Sequence, residues 1–232
     1  MRQKGDDVPV SAMSDDGVLP TGTSRLEKRR IAPRVPHWVS ENCIQCGICA
    51  SACPHAVIRT KLINPSDLAK APATFKTLDA KPGDGEKFKV QVYCEDCTGC
   101  GVCVDQCPIN QNKPESPALN WSTVEESEAN GEVVNAKFFD ELPDNVMGKN
   151  TTKTIKGAML RKPLFEFSGA CGGCGETPYV KLVSQLFGEN MIVANATGCS
   201  SIYSGTFPTI PYTKSKEGRK CCKSRNQETK GC

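Results

Sequence analysis

The stretch Cys43-Ile44-Gln45-Cys46-Gly47-Ile48-Cys49-Ala50-Ser51-Ala52-Cys53-Pro54 decides how this chain folds. Its cysteines are separated by two, two and three residues, and the run closes on Cys-Pro. The same grammar returns in Cys97-Thr98-Gly99-Cys100-Gly101-Val102-Cys103-Val104-Asp105-Gln106-Cys107-Pro108. Chance is a poor account of two intact copies. Small residues accompany the thiols. Gly47, Gly99 and Gly101 have no side chain to hold the loop away from a bound group, and each can take a positive φ.

The spacing resembles the ligand pattern of two-cluster bacterial ferredoxins and implies two 4Fe-4S centres, hence one-electron transfer. Each cube has four irons, and each iron needs one thiolate. In such proteins the fourth cysteine of each run ligates the other cluster. The resemblance therefore assigns Cys43, Cys46, Cys49 and Cys107 to one cube and Cys97, Cys100, Cys103 and Cys53 to the second. Structural zinc is the bland alternative, but zinc ligands usually come as two separated pairs. Cys94 precedes the second run at another two-residue interval; it could serve as an alternative ligand, but a spare or buried thiol is the preferred reading. His37 and His55 show no ligand spacing and read as structural or exposed.

Around these runs the chain is patchy. Residues 1–37 hold Pro9, Pro20, Pro33 and Pro36 and are expected to be irregular, with Glu27-Lys28-Arg29-Arg30 as a solvated charged patch. Residues 57–63 are β-prone, and Phe88-Lys89-Val90-Gln91-Val92-Tyr93 alternates as a strand does. A loop-rich insertion with Pro65, Pro72, Pro82, Gly83 and Gly85 separates them. The ferredoxin-like domain is bounded at 38–115. Residues 116–162 read as a polar linker with a little local structure around Phe138, Phe139 and Leu142.

From Pro163 the texture changes. Leu164-Phe165-Glu166-Phe167 is a short strand candidate. A helix is expected next, capped by Thr177, with Pro178 in its first turn and Gly188 as its stop. Tyr179, Leu182, Val183, Leu186 and Phe187 share one face of it. Met191-Ile192-Val193-Ala194 reads as a buried strand. Residues 163–219 thus open like an α/β domain, and too few residues follow to complete one.

Composition narrows the class. Only 38% of residues are hydrophobic, so small metal-held modules are expected in place of one large core. The 29 basic and 26 acidic residues nearly balance, which gives no signal for nucleic acid. Met1 runs into Asp6 and Asp7 without an apolar leader, and no stretch suits a membrane helix. Fifteen cysteines in such a chain point to metal-bound thiolates in a reducing compartment, cytoplasmic or an anaerobic organelle matrix.

Cys171-x2-Cys174 with Cys199 gives three further thiols, for which zinc, a third cluster and plain buried cysteines compete. The surrounding residues are more specific. Pro20-Thr21-Gly22-Thr23 and Glu27-Lys28-Arg29 precede the two runs. Phe167-Ser168-Gly169-Ala170-Cys171-Gly172-Gly173-Cys174-Gly175-Glu176-Thr177-Pro178-Tyr179 and Ala194-Asn195-Ala196-Thr197-Gly198-Cys199-Ser200-Ser201 follow them. This combination closely resembles the pyruvate:ferredoxin (flavodoxin) oxidoreductases from about Lys4 to Arg219.

The resemblance implies that Cys171, Cys174 and Cys199 hold a third, proximal 4Fe-4S cluster. It also implies that Glu176, Thr197, Gly198 and Ser200 lie near thiamine diphosphate and its magnesium. Complete enzymes of the family are homodimers that convert pyruvate and coenzyme A to acetyl-CoA and CO2. They pass two electrons singly through three clusters to ferredoxin or flavodoxin. The family's regions before Lys4, its Gly-Asp-Gly…Asn segment and the fourth proximal cysteine have no counterpart here. Lys220 to Cys232 does not resemble the family; a misread exon boundary or frame is the preferred account of that tail, and a metal-binding or basic interaction tail is the alternative. The expected architecture is α+β: a two-4Fe-4S ferredoxin-like domain with an insertion, then a shortened α/β thiamine-diphosphate segment. The expected role is electron relay within the larger oxidoreductase, with no turnover of pyruvate by this chain alone. A free-standing electron carrier with a docking segment is the alternative.

Overall fold

A computed structural model describes residues 4–12, 15, 20–206, 208–216 and 222–224. Most of the divergent tail lies outside the described residues. Two small antiparallel sheets frame the cysteine runs. Strand β1 (Val35–Trp38) pairs with β5 (Leu119–Ser122), with Val35 opposite Ser122 and Trp38 opposite Leu119. Strand β2 (Ile58–Ile63) pairs with β4 (Lys87–Val92), and the short β3 (Leu78–Asp79) adds to the free edge of β4. Both strands expected at 57–63 and 88–93 are present. The first run supplies helix α1 (Ile48–Ala52); the second supplies α2 (Val102–Asp105) and α3 (Pro108–Asn112).

The pleat explains how the sheet is buried. Ile58, Thr60 and Leu62 lie opposite Val92, Val90 and Phe88, so these side chains share one face. Arg59 and Lys61 lie opposite Gln91 and Lys89 and share the other. Alternation in 88–93 suggests that this second face meets water, yet Lys89 and Gln91 are fully buried. The cover comes from residues 116–162, which are not linker. They fold as β5, α4 (Val124–Ala129), α5 (Glu132–Glu141) and α6 (Ile155–Met159). Thr123 and Glu126 form a reciprocal capping box at the start of α4. Phe139 of α5 is fully buried, worth about 2–3 kcal/mol of removed apolar surface. Its carbonyl also takes a 2.8 Å hydrogen bond from the Lys61 ammonium. One contiguous apolar core consequently runs from Ala32 to Phe167, larger than the composition suggests.

Helix α7 (Thr177–Phe187) occupies the span expected for it. Its cap differs: Glu176 holds the cap position, and Thr177 is the first helical residue and fully buried. Gly188 ends it with φ of −54°, so no left-handed stop is involved. The expected apolar face is split, with Leu182 and Leu186 packed against the core. Lys181, Ser184 and Gln185 face inward, while Tyr179, Val183 and Phe187 are exposed. The 164–167 strand candidate is only an isolated bridge between Phe165 and Tyr212. Strand β6 (Ile192–Val193) follows α7 with Ile192 exposed; helix α8 (Cys199–Gly205) comes next, and β7 (Cys222–Ser224) pairs parallel with β6. Leu164, Phe165, Val193, Tyr203 and Tyr212 make a second, smaller core.

The segment around Glu27 to Arg30 is solvent-facing as expected, and two of its cations also act as a clasp. Lys28 pairs with Asp96 at 2.6 Å and Arg30 with Glu128 at 2.5 Å. Gly22 N–H donates to Tyr212 O at 2.6 Å, and Ser24 Oγ to Glu166 O at 2.7 Å. One short stretch thereby ties the C-terminal part to the sheet. Among the described residues no helix is long and apolar enough to cross a membrane.

Candidate metal centres

Each cysteine run makes the same loop. Gln45 and Gly99 occupy equivalent places, with φ of 60° and 70°, and Gly47 and Gly101 follow with 76° and 84°. The Gln45 amide donates to Cys43 Sγ at 3.4 Å, and the Gly99 amide donates to Cys97 Sγ at the same distance. A Cβ on Gly99 would come within 3.1 Å of Pro33 Cδ and 3.2 Å of Arg34 O, so a side chain there would be crowded as well as strained by the left-handed backbone. Gln45 holds a left-handed backbone with a side chain attached. Its amide group compensates: Nε2 donates to Asp79 O at 2.7 Å, and Oε1 accepts from Lys81 N at 2.9 Å and Lys156 Nζ at 3.2 Å.

The thiols gather in two crossed quartets around two small cavities. Cys43, Cys46, Cys49 and Cys107 line the first, walled by Trp38, Phe88, Val90 and Leu119. Cys53, Cys97, Cys100 and Cys103 line the second, walled by Val57, Ile58 and Trp121. In each case the fourth thiol comes from the other run. Electrostatic coupling divides the same way: Cys49 feels Cys43, Cys46 and Cys107, while Cys97 feels Cys53 and Cys100. One coupling, Cys49 with Cys103, crosses between the quartets and reports how near they lie.

These surroundings fit a thiolate-bound cube. Neither cavity wall contains a carboxylate, which a hard cation would require. Among the described residues, no three His, Cys, Asp or Glu side chains are arranged to hold a metal ion. Burial pushes the Cys97 thiol up to about 12 and raises Cys43, Cys49 and Cys103 as well. Neutral thiols are thus favoured until iron supplies the compensating charge. Val57 N–H donates to Cys53 Sγ at 3.3 Å. Such amide donors to sulfur belong to the set of interactions that tune a cluster's potential.

Cys94 is a buried thiol, pushed up to about 11 by burial, and lines neither cavity. His55 is also buried. Its Nε2 lies 2.9 Å from Ala170 O, and its own carbonyl accepts from Phe167 N at 2.9 Å. It therefore joins the Cys53 end of the first run to the approach of Cys171. The Cys171–Cys174 loop rests on the second run: a Cβ on Gly172 would sit 3.6 Å from Thr98 Oγ1 and 3.7 Å from Cys100 Cβ. Cys171 and Cys199 are exposed. Partial burial raises the Cys174 thiol, but amides of Thr177 and Glu176 outweigh it and hold that thiol below its ordinary value. Cys174, Cys199 and Glu176 all bear electrostatically on Tyr203, so the three stand around one tyrosine. Glu176, Thr197 and Gly198 are exposed and Ser200 is half-buried.

Residues 42–111 match the 4Fe-4S dicluster domain, and residues 1–32 match EKR, a domain of unknown function. Pyruvate:ferredoxin oxidoreductase of Moorella thermoacetica is 53% identical over 217 residues, covering 93% of this chain and 18% of that protein. The chain is homologous to a segment of the pyruvate:ferredoxin and pyruvate-flavodoxin oxidoreductases. Pyruvate-flavodoxin oxidoreductase of Trichormus variabilis is 50% identical over 94% of the chain and 18% of its own length. The mitochondrial NADP+-dependent pyruvate dehydrogenase of Euglena gracilis is 45% identical over 93% of the chain and 12% of its own length. The chain thus spans about a fifth or less of these relatives.

Within this segment, three charged groupings stand out that the spacing of cysteines does not point to. Lys28 meets Asp96, which adjoins Cys97 and which burial raises to about 6. Arg59 and Glu166 form a buried pair at 2.5 Å across the sheet and the C-terminal part. Lys181 is buried against the end of α1, and burial lowers it to about 8. No local sequence signal marks a lysine for burial, because its partners are backbone carbonyls far away in the chain.

Proposed function

We propose that this chain is the electron-relay segment of a larger pyruvate oxidoreductase. The observation that carries the reading is the pair of crossed thiol quartets, each around its own apolar cavity. In this reading Cys43, Cys46, Cys49 and Cys107 hold one 4Fe-4S cube and Cys97, Cys100, Cys103 and Cys53 hold the other. A cube so held takes up and gives back one electron without making or breaking a bond to the chain. The residues present supply the rest: thiolate ligation, amide donors to sulfur, and walls that exclude water.

Direction follows from packing. Cys171, Cys174 and Cys199 would serve a third cube, with a fourth donor from elsewhere in the larger protein. Their loop leans on Thr98 and Cys100, so electrons from that side enter at the second quartet. The first quartet is then the exit toward ferredoxin or flavodoxin. Glu176, Thr197, Gly198 and Ser200 are proposed to stand beside thiamine diphosphate. The parent reaction is oxidative decarboxylation of pyruvate with coenzyme A, yielding acetyl-CoA, CO2 and two electrons. Anaerobic loading of the purified chain with iron and sulfide tests the relay. About eight irons per chain and an EPR signal on reduction are expected for two cubes. A pale, EPR-silent product would refute it, and a zinc-loaded one would favour a structural metal.

A further inference from the structure

Lys181 is the one lysine of α7, and its ammonium is spent entirely on the first cysteine run. Nζ donates to Ala50 O, to Ser51 O at 2.9 Å and to Cys53 O at 2.8 Å. Three carbonyl acceptors require three N–H donors, which only the protonated amine provides. A full positive charge therefore sits in the interior, with the residue 2% exposed. Ala50 follows Cys49 of the first quartet, and Cys53 belongs to the second. The charge bears on both thiols, and no carboxylate is among its electrostatic partners. A lysine that only terminated α1 would serve as well from the surface, where its solvation is not lost.

From this geometry we infer that Lys181 is a potential-setting residue, shared by the two cubes and delivered by the segment that carries Cys171 and Cys174. The inference rests on the two-cube reading above. One-electron reduction makes a cube more negative by one charge, with the electron drawn from an external reductant and no proton required. A fixed cation a few residues from a ligand of each cube favours that product. At an effective dielectric constant of about 20, one unit charge about 12 Å away changes an equilibrium about tenfold. Docking of α7 thereby makes both cubes easier to reduce, and the ferredoxin-like part without it would be a poorer acceptor.

The test is an EPR-monitored redox titration of the iron-loaded full chain, comparing wild type, Lys181→Gln and Lys181→Arg. Iron per chain is counted in each sample. Glutamine keeps an amide donor for the carbonyls but removes the charge. With full iron, Lys181→Gln is expected to lower the reduction equilibrium constant of each cube about tenfold, which is about 59 mV for one electron. Lys181→Arg is expected to stay within twofold of wild type. Full iron with unchanged potentials in Lys181→Gln would overturn the inference. So would loss of iron in that variant, which would make Lys181 a strut, or an equal fall in Lys181→Arg. Absence of clusters in the wild type would instead sink the two-cube reading itself.

Discussion

Replacing Glu166 by alanine will strand a guanidinium inside the protein. Arg59 Nη2 and Glu166 Oε2 lie 2.5 Å apart, with side-chain exposures of 9% and 5%. Arg59 also donates Nε–H to Ala56 O at 2.9 Å and lies over the rings of Tyr93 and Phe167 at 4.7 and 4.8 Å. Glu166 holds the charged form of Arg59 against burial, and arginine has no neutral form to fall back on. Removing one partner of a buried pair costs about 3–5 kcal/mol. For a chain of this size that is a fall of roughly 6–20 °C in melting temperature. Thermal unfolding of the iron-loaded chain, followed by circular dichroism, measures it. The double replacement Arg59→Met with Glu166→Leu should regain most of the loss, because no unpaired charge remains. A shift below about 2 °C in Glu166→Ala would refute the argument, since Glu166 would then not be sealed between sheet and C-terminal part.

Crossed ligation has a non-additive signature in iron content. Cys107→Ala alone should leave about four of eight irons. Adding Cys43→Ala should change little, because both thiols line one cavity, while adding Cys97→Ala should remove the remainder. If Cys107→Ala with Cys97→Ala retained about four irons, each run would bind its own cube. Gly99→Ala should cost about 1–2 kcal/mol for the left-handed backbone alone, more with the contact to Arg34 O, as read by urea denaturation. Lys89 is buried between Trp38 and Phe75, and burial lowers it to about 8. Its folded value lies below the unfolded one, so the unfolded chain binds more protons between about pH 8 and pH 10.4, and stability rises across that window. Lys89→Met should abolish a rise of at most about 3 kcal/mol; an unaltered pH profile would show that Lys89 keeps its charge at no cost.

The sulfur framework was legible because a cluster loop is written locally. Spacing, glycine and Cys-Pro repeat within a dozen residues, and crossed quartets are the geometry that pattern implies. What resisted reading is held by partners distant in the chain. Residues 116–162 lack a clear apolar stripe because α5 buries Asn135 beside Ala136 and Phe139, and Asn135 is satisfied by Thr74. The Thr123-x2-Glu126 capping box was a visible signal for α4. Helix α7 misleads more deeply. Its apolar residues suggest a face toward the core, but Lys181, Ser184 and Gln185 find carbonyls and amides there, while Tyr179 and Phe187 stay outside. Periodicity finds a helix; it does not say which side the rest of the protein will cover.

The unequal bracing of the two sister loops has a consequence for how iron is acquired. Gly99 takes its left-handed turn without a side chain to restrain it, so that turn needs no such bracing, although Cys53 of the first run still completes its nest. Gln45 reaches that shape only while Asp79, Lys81 and Lys156 hold its amide. Trimming the excursion between β2 and β4 would accordingly unseat one metal nest and spare its twin. The loops are copies in sulfur but not in bracing: one turns on a bare glycine, the other on side-chain contacts that the finished fold brings to it.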